Sequence, residues 1–459
     1  MIRRDFMKRL ALGTTTGALG ILGGQSARMN AIAETYSNAT KGLPPLKITN
    51  VKSFLIPYSH GGPLVVKVET SEPGLYGLGS AGYTQRPFTV KAEVDEYLAH
   101  FAKGKSAENI EDMWQSYFVS SYFRNGAVTN AANSGLDMAL WDIMGKRANM
   151  PVYKLLGGKS RFAVECYKST GGRDFTELED NVQKLIEEGY RVIKIQPGVS
   201  DWQYFPGKDA EFGIPEDRYQ EVGPYIHMLP RAFEHLRNKF GDQIGFLHDH
   251  VNRRVPPIEA IDLVKKLEQY HPFFLEDPFT NDDIGYFRIL REQSSCPIAM
   301  GENFTNPQEW IPLISERLID FIRCHMSTIG GLTPAIKLAH YSESYNVRTA
   351  WHGPGNVTPV GDAANAHLDL AVWNFGIQEF SNRPQEAHDI FPGCPVFKKD
   401  KEGYGYMYVN EAPGLGVDIN EKAALKLTFG GGYMHHPRGG PYSVHPRTYR
   451  RGDGTFVRP

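Results

Sequence analysis

The hydrophobic rhythm of the chain changes once along its length. From Leu46 to about Tyr83 apolar and polar residues alternate, as in Lys47-Ile48-Thr49-Asn50-Val51 and Leu64-Val65-Val66-Lys67-Val68, and Glu72-Pro73-Gly74 supplies a turn. Alternation broken by such a turn predicts an antiparallel meander. Apolar residues then recur at helical spacing from Lys91 to Ala148, so the first unit reads as α+β. From Val164 onward short apolar runs alternate with amphipathic segments; the runs are 191–195, 244–247, 273–275, 298–300 and 321–322. This second regime predicts βα units built around a parallel sheet, an α/β fold.

Polar residues at the ends of those runs carry the functional argument. Asp249, Glu276 and Glu302 each follow an apolar run, at intervals of 27 and 26 residues. One βα unit takes roughly that length, with a whole βαβ unit at about 30 residues. Successive parallel strands of a barrel would bring the three carboxylates together at the C-terminal rim, where barrel enzymes keep their chemistry. The competing reading is three unrelated helix N-caps, which favour the same residue types but do not require equal intervals. Three carboxylates without a cysteine make a hard oxygen site, suited to Mg²⁺, with Mn²⁺ as a substitute. The series continues with Arg323, His352 and Glu379 at steps of 21, 29 and 27 residues. A histidine beside Trp351 is by itself compatible with a packed core; its place in the series argues for the rim.

Composition narrows the classes. The 459 residues are 41% hydrophobic and 22% charged, enough to bury a large core and unlike a disordered chain. Four cysteines, Cys166, Cys296, Cys324 and Cys394, show no CxxC spacing, which argues against a disulfide framework or a zinc ribbon. Arg3-Arg4-Asp5-Phe6-Met7-Lys8, a short apolar stretch from Leu10 to Gly24 and Ala31-Ile32-Ala33 read as a twin-arginine signal peptide over residues 1–33, with export to the periplasm as the expected localisation. Its removal leaves a more acidic chain without a basic field, so nucleic acid is not an expected partner. No later run of eighteen apolar residues occurs, so no stable membrane anchor is expected.

Taken together, Lys194-Ile195-Gln196, His248-Asp249-His250, Leu275-Glu276-Asp277-Pro278, Gly301-Glu302, Ile329-Gly330-Gly331-Leu332-Thr333-Pro334, His352-Gly353-Pro354 and Asn374-Phe375-Gly376-Ile377-Gln378-Glu379 resemble the enolase superfamily. Within it the chain looks most like the mannonate dehydratase subgroup, over about residues 47 to 430. The resemblance implies a modified (β/α)7β TIM-type barrel with an N-terminal α+β capping domain. The boundaries it implies are a signal peptide over 1–33, a linker over 34–46, the cap over 47–162, the barrel over 163–390, and a C-terminal segment over 391–459 that folds back toward the cap. It further implies homo-oligomers and a small acidic sugar as substrate. Mg²⁺ held by Asp249, Glu276 and Glu302 would then stabilise the charge left when a proton is taken from C2 of an aldonate such as mannonate or gluconate. Loss of the C3 hydroxyl as water gives a 2-keto-3-deoxy acid. Arg323, His352 and Glu379 would orient the substrate.

The base and the acid are where the chain departs from its subgroup, whose mannonate dehydratases use an Arg-Tyr pair and a His two residues after the first metal carboxylate. Lys194 stands where that Arg is expected, and Tyr204 is the nearest counterpart of the Tyr. His250 directly follows Asp249, one position early, while Ser169 and Thr84 replace a His and an Asn. Lys194, Tyr204, His250 and His352 are the resulting catalytic candidates; Lys194 reads equally as a base or as a contact to the metal side or the substrate carboxylate. Residues 197–220 read as a lid over the polar rim, or else as a surface insertion or oligomer contact. Two functions stay open: sugar-acid dehydration, and a metal-binding barrel of little turnover that binds or senses acid sugars.

Overall fold

The computed structural model describes residues 44–56, 64–82, 86–197, 222–249, 255–353 and 357–427, with short stretches between 435 and 455. Strands β1 (Ile48–Leu55), β2 (Leu64–Thr70) and β3 (Tyr76–Ser80) form an antiparallel meander in chain order, as the alternation predicts. Helical runs between Pro87 and Ala102 follow, then helices α1 (Ile110–Phe118) and α2 (Ala127–Arg147). Most of α2 is buried, and it lies almost against β3. Only glycine permits this approach, because a Cβ on Gly77 or Gly79 would stand about 2 Å from the carbonyl oxygens of Ala139 or Gly135.

Eight parallel strands come next in the described chain: β4 (Val164–Gly172), β5 (Val192–Pro197), β6 (Gly245–Asp249), β7 (Leu275–Glu276), β8 (Ile298–Met300), β9 (Phe321–Ile322), β10 (Arg348–Thr349) and β11 (Gln378–Glu379). Each of β4 to β9 pairs in parallel with its successor. β11 returns to β4 through Gln378↔Cys166, and the Thr349↔Phe375 bridge joins the approach to β11 onto β10, so the sheet closes. Among the described residues seven helices connect the strands: α3 (Phe175–Glu188), α4 (Val222–Phe240), α5 (Pro257–Glu268), α6 (Gly285–Gln293), α7 (Pro307–Ser315), α8 (Leu332–Glu343) and α9 (Pro359–Ala371). Their limits follow from local chemistry. Asp174 caps α3 by accepting from the Glu177 amide at 2.8 Å, and Gly189 ends it at φ 113°. Asn306 and Glu309 form a capping box at α7.

The barrel interior is a ring with one side chain from each strand or its immediate approach: Tyr167, Val192, Leu247, Phe274, Ala299, Phe321, Ala350 and Ile377. Such a layer is packed core rather than a pore. A hairpin of β12 (Val396–Lys399) and β13 (Gly405–Tyr408) then pairs antiparallel with the start of β4. Beyond it the chain meets the first unit, where the Leu415 amide donates to Asp142, Tyr76 donates to Asp418, and Lys67 pairs with Glu421. Among the described residues no helix is long and apolar enough to cross a membrane.

Candidate active site

Side chains on a strand alternate between faces, so the residue two beyond an inward apolar one also points inward, nearer the C-terminal end. Applied to the apolar ring, that step gives Ser169, Lys194, Asp249, Glu276, Gly301, Arg323, His352 and Glu379. The polar rim is therefore one layer stacked on an apolar floor. β8 is the exception: its inward position is Gly301, at φ 138°, and the turn there lets the next residue, Glu302, supply the side chain.

Carboxylate oxygens of Asp249, Glu276 and Glu302 lie within 4.8 Å of one another. None of the three is a helix cap, since the residues at the starts of α5, α6 and α7 are Pro256, Ile284 and Asn306. Around the triad the layer is tightly paired. Arg323 donates from Nε to the Tyr167 hydroxyl at 2.9 Å, its Nη2 bonds Glu379, and its Nη1 forms an ion pair with Glu276 at 2.9 Å. Lys194 lies 2.7 Å from Glu379 and 3.3 Å from Glu276. His352 approaches Glu302 at 3.6 Å and stacks on His325, with ring centroids 4.9 Å apart.

Burial sets the charge states. Buried away from water, and with Asp249 close by, the Glu276 carboxyl is pushed up to about 8 despite Arg323 and Lys194. Glu379 is equally buried, but Arg323 and Lys194 outweigh the burial and hold it down at about 2. Burial opposes charge on Lys194 too, yet Glu276 and Glu379 raise it above the usual lysine range. Burial drives His352 well below the usual histidine range, so its ring is neutral.

A divalent cation fits this donor set. Four carboxylates of this layer, the clustered Asp249, Glu276 and Glu302 together with Glu379, face two fixed cations, Lys194 and Arg323, and a doubly charged ion balances the remainder. All the donors are oxygens, the preference of a hard ion such as Mg²⁺.

The structure brings together Lys194, Asp249, Glu276, Glu302, Arg323, His352 and Glu379 of the residues singled out in the sequence. Tyr204, His250, Thr84 and most of the 197–220 loop lie outside the described residues. The Arg323 guanidinium is fully buried and engaged by Tyr167, Glu276 and Glu379, so it braces the layer from within. Sequence reasoning missed Tyr167 and Asn130. Tyr167 looks like core from its strand context; stepping back two residues from Ser169 would have found it. Asn130, on α2, donates to the carbonyls of Thr305 and Thr328 at 2.7 and 2.8 Å, pinning the loops that follow Glu302 and Arg323.

Comparison with known proteins agrees with this geometry. Residues 59–157 match the N-terminal domain model of mandelate racemase / muconate lactonizing enzyme, and residues 177–423 match the enolase C-terminal domain-like model. A D-galactonate dehydratase family member from Salmonella virchow is 51% identical over 403 residues, covering 84% of this chain and 95% of its own length. Another from Pantoea ananatis is 49% identical with the same coverage. A crystal structure of an enolase from Pantoea ananatis with bound D-gluconate and Mg aligns at a TM-score of 0.82 and 47% identity, over 90% of this chain and 100% of that one. The superfamily expected from the motifs is the one found, while the relatives are named for galactonate where the motifs pointed to mannonate. The chain belongs to the enolase superfamily and, within it, to the D-galactonate dehydratase family.

Proposed function

We propose that this protein is a Mg²⁺-dependent sugar-acid dehydratase acting on a hexonate with the C2 and C3 configuration common to D-gluconate and D-galactonate. The observation that carries the reading is the convergence of Asp249, Glu276 and Glu302 at the open end of the barrel, oxygens within 4.8 Å, inside a layer short of positive charge. The relatives are named for galactonate, and a relative of known structure holds gluconate with Mg. Those two acids differ only at C4, so the carbons that react are alike in both.

When bound, the cation supplies Lewis-acid charge that offsets the negative charge developing beside the carboxylate as C2 loses its proton. The residues of the chain do the rest. In the reaction a base takes the C2 proton, the C2–C3 double bond forms as the C3 hydroxyl leaves with a proton from an acid, and the resulting enol ketonises. Lys194, kept charged by Glu276 and Glu379, serves as a fixed cation facing an anionic substrate rather than as the base. His352, neutral and beside Glu302, is suited to accept a proton or to hydrogen-bond a hydroxyl. Ser169 is exposed at the end of β4 and leaves room for the sugar chain.

The test is incubation of the purified protein with D-galactonate, D-gluconate, D-mannonate and aldaric acids, with Mg²⁺ or with EDTA, and NMR detection of 2-keto-3-deoxy acids. Product from galactonate or gluconate that EDTA abolishes supports the reading. Tight ligand and metal binding with no product from any acid replaces it with the non-catalytic, sugar-acid-binding barrel.

A further inference from the structure

The backbone ladder between β5 and β6 ends just below the rim. Its register runs Val192↔Gly245, Ile193↔Phe246 and Lys194↔Leu247, after which β6 pairs with β7 through His248↔Leu275 and Asp249↔Glu276. β5 meanwhile continues beside β4 as far as Gly172↔Pro197. The strands that carry Lys194 and Asp249 thus part company at the level of the site, and a side chain takes over from the ladder. His248 is fully buried and points away from the barrel axis, because Leu247 and Asp249 on either side of it point inward. Its Nδ1 lies 2.6 Å from the Ile195 carbonyl oxygen on β5. A carbonyl only accepts, so Nδ1 carries the hydrogen and Nε2 is the acceptor. The hydroxyl of Tyr225, buried in the first turn of α4, donates to Nε2. Two partners therefore fix both the tautomer and the plane of the ring.

We infer that Tyr225 and His248 form a strap that sets the gap between β5 and β6 and so places the Asp249 carboxylate against Glu276 and Glu302. This rests on the reading of those three as ligands of a divalent cation. Both are positioning residues, which act through strand β6. Above the last described pair of the β5–β6 register, Lys194↔Leu247, the imidazole bonds across to β5 from the reverse side of the sheet.

Mn²⁺ titration of the full-length protein, with free Mn²⁺ followed by electron paramagnetic resonance, tests the strap without requiring the substrate. His248→Phe keeps a ring but loses both bonds, and should weaken Mn²⁺ binding about 10-fold or more, as loss of outer partners does at metal sites. His248→Asn retains an N–H near the place of Nδ1 and should recover most of the affinity. Tyr225→Phe removes one hydroxyl and should cost a few-fold, and it decides the matter if His248→Phe fails to fold. Melting temperatures measured without metal separate a general loss of stability from this specific one. Unchanged Mn²⁺ affinity in both His248→Phe and Tyr225→Phe overturns the strap, as does an equal loss in His248→Asn and His248→Phe. A folded wild-type protein that binds no Mn²⁺ removes the reading of the triad and the strap with it, whereas wild-type binding with unaffected variants removes the strap alone.

Discussion

Lys194 reaches across a neighbouring strand to pair with Glu379 at 2.7 Å. β4 lies between β5 and β11 in the sheet, and the ammonium passes 5.7 Å from the centre of the Tyr167 ring on that strand. The crossing is open because Ser169, which stands level with Lys194 in the β4–β5 register, is small. Lys194 therefore ties together two strands that are not paired in the sheet, within the layer that holds the carboxylate triad.

Removing this ammonium should be costly. Lys194→Met leaves Glu379 and Glu276 buried with one cation fewer, and breaking a buried pair from one side costs about 3–5 kcal/mol. Denaturant unfolding should register a loss of that size. A loss below about 1 kcal/mol, the scale of exposed pairs, would mean that Lys194 is not locked in the layer.

Glu302 offers the cleanest substitution in the triad, since its side chain is 31% exposed while Glu276 is fully buried against Arg323. Glu302→Gln should lower Mg²⁺ affinity more than about 100-fold, beyond the range typical of outer partners, with the melting temperature nearly unchanged. Calorimetric titration measures the first and a thermal melt the second.

The charge of Glu276 predicts a pH dependence. Its carboxyl, at about 8, lies above its value in an unfolded chain, so between about 4.3 and 8 the folded metal-free protein binds more protons than the unfolded one. The contribution of this group to stability is fully present at acid pH and is lost as pH rises through that window. Bound Mg²⁺ must displace the same proton, so its affinity should rise with pH up to about 8 and its binding at pH 6.5 should release close to one proton. Titration in buffers of different ionisation enthalpy reports the proton directly. Equal affinity at pH 6 and pH 8 contradicts this assignment.

Asn130 links α2 to the rim loops. Asn130→Ala leaves the carbonyls of Thr305 and Thr328 without that donor, at a cost of about 1–3 kcal/mol per unsatisfied buried group. Because Thr305 is three residues beyond Glu302, the variant should also need more Mg²⁺ for half-maximal turnover, whereas a purely structural role would lower stability alone.

The N-terminal Arg3-Arg4 pair is tested in cells. Replacing both with Lys should keep a tagged protein in the cytoplasm, with the unaltered leader delivering it to the periplasm; equal partition of the two contradicts export by the twin-arginine route.

Much of the rim was legible because strand ends recur at the length of a βα unit. Asp249, Glu276, Arg323, His352 and Glu379 sit where that spacing puts them, each two residues past an apolar inward neighbour. What the spacing cannot reveal is stagger between strands. Glu379 stands level with Tyr167 while Lys194 stands level with Ser169, and this offset lets Lys194 and Arg323 converge on Glu379. Sequence position places Arg323 at the rim, but only packing reveals that its guanidinium is enclosed. The Tyr225–His248 bond was equally hidden, since it joins the outer face of a strand to a helix residue 23 positions earlier in the chain.

The most direct test of the central claim is anomalous diffraction from a crystal soaked in Mn²⁺. A strong anomalous peak coordinated by oxygens of Asp249, Glu276 and Glu302 is expected, together with its loss in Glu302→Gln. A peak elsewhere, with these three carboxylates paired only to Arg323, Lys194 and one another, would contradict it.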